Sequence, residues 1–249
     1  MVNSSIIEEN VMNDDLKAKL LAICSKNVLQ KLGEETVPEP YIPFIPNNWN
    51  RCLVLAEAQN HSKKNDVYLS WLKALASEAR MLRLYGHHDG IGCQPWDDGS
   101  LKFALACISD DEPEHWAVCN AVLWSRRSFS ESNENPSDYM QENSVKIWTQ
   151  YLEVLKPKWI VATGKVARKV ITQTGYKGKR LDLLLPSPLN LQRLSTLFDT
   201  DDLLTRYQEV VSKLEKYESL IKGKGLNNKI FYACHAVSMA RKHKVGIYE

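Results

Sequence analysis

The residues best suited to chemistry lie in or just past short apolar runs. These are the positions from which a parallel α/β sheet presents its ligand-binding groups. They are Glu57 to His61, Asn120, Gly164-Lys165, and Pro186 to Asn190. Together they offer a carboxylate, several amides and a proline-stiffened turn, without an evident nucleophile–base pair. Gly164-Lys165 invites a phosphate-loop reading, but that loop needs a glycine five residues earlier, and position 159 is Trp159. A tight strand-to-helix turn accounts for the pair better. The six cysteines, at 24, 52, 93, 107, 119 and 234, contain no CxxC spacing of a zinc or iron–sulfur site. Cys52, Cys107 and Cys119 lie in apolar runs, where cysteine serves as a small hydrophobe. Reduced thiols are expected, with no metal and no cofactor.

The elements that must position these residues alternate in type. Leu16, Leu20, Ile23, Val28 and Leu32 predict a helix over 14–32, ended at Gly33. VPEPYIPFIP (37–46) holds four prolines and must run as an extended strap. CLVLAEA (52–58), LKFALACI (101–108), WAVCNAVL (116–123) and LDLLLPS (181–187) read as buried strands. Helices are expected over 66–85, over the segment around Val145, Trp148, Leu152 and Leu155, and over 201–222 and 228–243. In the last of these, FYAC could begin as a strand. KWIVATGKVARKVI (158–171) reads as strand, turn and helix. Residues 125–142 are polar and loop-like. Strands alternating with helices imply a parallel sheet covered on both faces.

The 249 residues, 44% of them hydrophobic, suit a single domain over 1–249. Within it, 1–50 form the N-terminal helix and strap, 51–200 the core, and 201–249 C-terminal helices. No apolar run approaches the roughly 20 residues of a membrane span. Met1 to Asn13 lacks the apolar segment of a signal peptide, so a cytoplasmic protein is expected. A formal charge of +2 neither demands nor excludes nucleic acid. Basic residues thicken near the end, at Lys222, Lys224, Lys229, Arg241, Lys242 and Lys244, with a smaller group at Lys177, Lys179 and Arg180. A solvated face explains any one such group.

Five segments in order resemble the uracil-DNA glycosylase superfamily. AEAQN (56–60) resembles its first motif, GEAPG in one branch. QPW (94–96) resembles the segment that supplies a base-stacking aromatic. CNAVLW (119–124) resembles the strand end whose asparagine reads a flipped base. LKPKWIVATGKVA (155–167) resembles the strand–helix unit that follows. LPSPLN (185–190) resembles the second motif, HPSPLS or HPSPRN. The match spans roughly residues 50 to 200. It implies a three-layer α/β/α sandwich around a mostly parallel four-stranded sheet, with extra terminal helices. The chain departs from the pattern at Ala56, Ala58, Gln59 and Asn60. Leu185 stands where the second motif has a histidine, and the four-cysteine pattern of the iron–sulfur branch is missing.

The resemblance implies a monofunctional DNA glycosylase that flips a nucleotide out of the stack and hydrolyses its N-glycosidic bond. Its partner would be DNA, bound by a monomer. Glu57 would stabilise an oxocarbenium-like transition state and orient water, with Asn60 sharing the water and His61 and Asp66 in reserve. Asn120, with Gln59, would read the base edge, and Trp96 would stack on it. Ser187, Asn190, Arg193, Lys165 and His61 would meet the DNA backbone, and Leu189 would fill the hole left by the flipped nucleotide. Each residue has a plainer structural role open to it: a turn carboxylate for Glu57, turn chemistry for Asn60, a satisfied buried amide for Asn120, core packing for Trp96. The altered first motif and Leu185 point to a larger pyrimidine, such as the glucosylated hydroxymethylcytosine of phage DNA. Uracil repair, a non-catalytic DNA- or partner-binding module on the same fold, and a nucleoside- or nucleotide-processing enzyme remain open.

Overall fold

Asn13 starts the first helix by accepting a hydrogen bond from the Asp15 amide at 2.9 Å, the usual work of an asparagine N-cap. That helix, α1 (Asp14–Lys26), buries Leu20 and Cys24. The computed structural model describes residues 13–30, 32, 36–62, 66–83, 99–128, 136–197, 205–221 and 226–248. The elements after α1 are β1 (Cys52–Ser62), α2 (Asp66–Ala74), α3 (Ser77–Met81), α4 (Ser100–Ile108) and β2 (Ala117–Ser128). Then come α5 (Asp138–Leu155), β3 (Trp159–Thr163), α6 (Gly164–Gln173), β4 (Lys179–Leu183) and α7 (Pro188–Leu197). The chain closes with α8 (Gln208–Leu214), α9 (Glu218–Ile221) and α10 (Leu226–His243).

All pairings in the sheet are parallel, and its strand order is β2-β1-β3-β4. Alternation along the strands sends Leu53, Leu55, Ile160 and Ala162 to one face, against α1, α5 and α6. Cys52, Val54, Val161 and Leu181 go to the other, against α4 and α10. The result is an α/β protein with a four-stranded parallel sheet between two helical layers. The proline-rich segment is extended and lies along the outer edge of β2. Phe44 and Val118 exchange both backbone hydrogen bonds at 2.9 Å, so an otherwise open sheet edge is covered.

Several expectations need correction. LKFALACI is helix α4, not a strand. A short, wholly buried apolar run carries no period that separates the two, and its leucines and alanines favour helix. The helix expected over 66–85 is broken between α2 and α3, where Ala76 is extended. Arg80 makes the break tolerable by donating to the carbonyls of Leu72 and Lys73 at 3.0 and 3.1 Å. The long helix expected over 201–222 is broken among the described residues, at Tyr207 and again at 215–217, and residues 198–204 lie outside the described set. At the second break Tyr217 donates to Glu112 at 2.6 Å. FYAC lies wholly within helix α10. Residues 125–128, expected as loop, continue β2, and residues 138–142 begin α5. The rest of that loop, 129–135, and Gly33 and Gly86 lie outside the described residues.

Candidate functional site

The strand order reverses between β1 and β3, and ligands of open parallel sheets bind at such a switch point. Glu57 sits there. β1 pairs with β3 only from Cys52 to Leu55, so Glu57 lies just beyond the last shared rung. Its Oε1 accepts a hydrogen bond from the Val166 amide at 2.9 Å. The carboxylate thereby takes up one of the unpaired donors in the first turn of α6, and lies at the positive end of that helix. Thr163 ties the same junction by donating to the Leu55 carbonyl at 3.0 Å. Gly164 has φ +88°, and a Cβ there would collide with the Glu57 carboxyl group. The glycine is therefore required twice, for its backbone conformation and for the close approach of Glu57. Lys165, the next residue, is exposed.

The polar half of the first motif is not a loop past the strand. β1 runs on through Gln59, Asn60 and His61 to Ser62, paired with an equally polar continuation of β2 and bulged between Ala58 and Asn60. Backbone pairing does not need apolar side chains, so polarity did not end the strand. The side chains of Gln59, Asn60, His61 and Asp66 lie outside the described residues, as does the whole of Trp96.

Asn120 pairs in register with Ala56 and is 5% exposed. Its Nδ2 donates to the Tyr41 hydroxyl at 2.8 Å. Tyr41 belongs to the strap, and the Arg83 guanidinium lies over its ring at 4.1 Å. Arg83 is 1% exposed and donates to the carbonyls of Glu39, Arg80 and Leu123 at 3.3, 3.1 and 3.3 Å. Asn120 is therefore one position before Glu57 in register, on the neighbouring strand, with its amide engaged by the strap.

Past β4, the segment LLPSPLN is built as a rigid turn. The Leu185 carbonyl accepts from the Ser187 amide at 2.7 Å and from Asn190 Nδ2 at 2.9 Å. Ser187 Oγ accepts from the Asn190 amide at 3.4 Å, which makes Ser187 the N-cap of α7, with Pro188 in the first helical position. Leu189 then projects from the first turn of α7 and is 58% exposed, the most exposed of the large hydrophobic residues described. Arg193, one turn further on, is also exposed.

Four residues around these groups escaped the sequence reading. Tyr41, with Arg83 over its ring, holds Asn120, and Tyr232 and His235 hold Leu184. Tyr232 donates to the Leu184 carbonyl at 2.7 Å, and the Leu184 amide donates to His235 Nε2 at 3.4 Å. Burial pushes the His235 imidazole below its usual value. The i, i+3 spacing of Tyr232 and His235 was visible in the sequence; their target was not. Among the described residues no group of three or more His, Cys, Asp or Glu could hold a metal ion. The five described cysteines are buried, and burial raises the Cys24, Cys107 and Cys234 thiols to about 12, which makes them poor nucleophiles. No helix among the described residues is long and apolar enough to cross a membrane. Comparison with protein-family models and with curated proteins gave no match for this chain.

Proposed function

We propose that this chain is a monofunctional DNA glycosylase of the uracil-DNA-glycosylase-like fold, acting on a hypermodified pyrimidine and leaving an abasic site. The observation that carries the reading is Glu57, a carboxylate anchored at the switch point of the sheet. The exposed Leu189, on a stiff turn past β4, supports it. A fixed carboxylate at that place can stabilise the cation that develops on the sugar and orient a water. An exposed leucine on a fixed turn is suited to replace an extruded nucleotide in the stack. Leu185 makes the wall apolar where related enzymes carry a histidine, which favours a pocket for a larger base such as glucosylated hydroxymethylcytosine. On this reading the protein works as a monomer in the bacterial cytosol, against phage DNA.

The test is a panel of oligonucleotides and phage DNAs carrying different bases, assayed for abasic sites. Release from hypermodified DNA is expected; release from uracil-containing DNA alone would assign the enzyme to repair instead. One observation favours a second reading, a non-catalytic DNA- or partner-binding module. Glu57 and Asn120 are both engaged inside the protein, one by α6 and the other by the strap. On that reading no DNA in the panel loses a base, and Glu57→Gln and Asn120→Ala leave DNA binding and cellular effect unchanged.

A further inference from the structure

We infer that α10 is the strut that makes Leu189 a rigid wedge, and that Tyr232 and His235 are positioning residues giving the site a preference for duplex over single-stranded DNA. The inference rests on the glycosylase reading for its ligand and on the geometry of Leu184 for its mechanism. Leu184 is the first residue past β4, where the ladder no longer pairs its backbone. Half-buried polar groups of this kind need partners. Both are met from one helix: Tyr232 takes the carbonyl at 2.7 Å and His235 the amide at 3.4 Å. The two side chains are three residues apart, so they stand one above the other on the same helix face. Holding the N–H and the C=O of one residue fixes the peptide planes on both its sides.

From Leu184 the constraint is continuous. Pro186 and Pro188 lock two φ angles. The Leu185 carbonyl closes on Ser187 and Asn190, and Ser187 caps the helix that carries Leu189. α10 packs against α4, α7 and β4, so the strut stands on the body of the protein. Phe231, Tyr232, Ala233, Val237 and Ala240 bury α10 in the core, and the Tyr232 hydroxyl is not needed for that burial. A tyrosine and a neutral imidazole aimed at one loop residue add position. Position matters for a wedge in a stacked duplex, which has a hole of definite place and depth. A single strand has no such hole, and there a held leucine confers nothing.

The experiment measures binding of the full chain to a duplex with a central tetrahydrofuran abasic analogue and to the same strand alone. The proteins are wild type, Tyr232→Phe with His235→Ala, His235→Gln, Leu189→Ala, and the combination of all three truncations. Amide hydrogen exchange over 184–190 is followed in each. The wild type should prefer the duplex. The strut variant should lose at least about five-fold in duplex affinity with single-strand affinity unchanged, and its Leu184 amide should exchange faster. The combined variant should lose no more than Leu189→Ala alone, because the strut acts through that residue. His235→Gln, with Tyr232 in place, retains an acceptor and should keep most of the wild-type duplex affinity. An unchanged duplex preference, or unchanged exchange at 184–190, overturns the inference. If the wild type binds neither DNA, the glycosylase reading fails, and exchange alone decides whether α10 holds the turn.

Discussion

At the scale of single residues, the groups that matter are fixed by contacts far apart in sequence. Glu57 was legible as a candidate because it ends an apolar run in a motif-like setting. Its bond to Val166, 109 residues away, was not legible, since nothing local signals it. The same holds for Asn120 and Tyr41, which are 79 residues apart. Two predictions belong here. Gly164→Ala should destabilise the protein by about 1–3 kcal/mol in urea unfolding, because it forces φ +88° on a residue with a Cβ and pushes the Glu57 carboxyl out of its place. An unchanged midpoint would mean that the carboxylate is not seated as described. Tyr41→Phe keeps the ring beneath Arg83 but strips Asn120 of its partner. It should cost about 1–3 kcal/mol, the usual penalty for leaving a buried amide donor unpaired. A loss below about 0.5 kcal/mol would show that the amide finds another partner or water.

At the scale of elements, what could be read was what has a period or a punctuation mark. KWIVATGKVARKVI became β3 and α6 because a glycine separates a buried strand from a strongly amphipathic helix. The four-proline strap was legible because proline forbids the alternatives. LKFALACI was not, because uniform burial erases the difference between periods of 2 and 3.6. The breaks in the helix expected over 201–222 were not legible, because contacts such as Tyr217 to Glu112 join residues far apart in sequence. Arg241 donates to both Glu209 oxygens at 2.6 and 2.7 Å, and Tyr248 donates to one of them at 2.7 Å, clasping α8, α10 and the C-terminal turn. Burial raises the Glu209 carboxyl, but these hydrogen bonds outweigh it and hold the group below its usual 4.5. A carboxylate lowered in the folded state takes up fewer protons than in the unfolded chain. Its contribution is therefore complete above pH 4.5 and is lost as pH falls through the folded value. Glu209→Gln should be less stable than the wild type at pH 7, with the gap narrowing at pH 3. A gap of constant size in urea midpoints across that range would contradict the clasp.

At the scale of the whole molecule, the α/β class and the parallel sheet followed from the alternation of strands and helices. The strand order did not, because alternation alone does not say on which side of β1 each later strand is added. That order decides where the candidate site lies, since it puts the switch point between β1 and β3, just past whose last shared rung Glu57 stands. The central claim is that Glu57 does chemistry there and does not only cap α6. Glu57→Gln separates the two roles, because its amide oxygen can still accept from Val166 while its negative charge is gone. The decisive measurement is the yield of abasic sites from hypermodified phage DNA incubated with wild-type protein and with Glu57→Gln at matched folded concentration. The account predicts abasic sites with the wild type and a loss of at least about a hundredfold in the variant, with its unfolding midpoint little changed. Equal yields from the two proteins, or none from either, would contradict it.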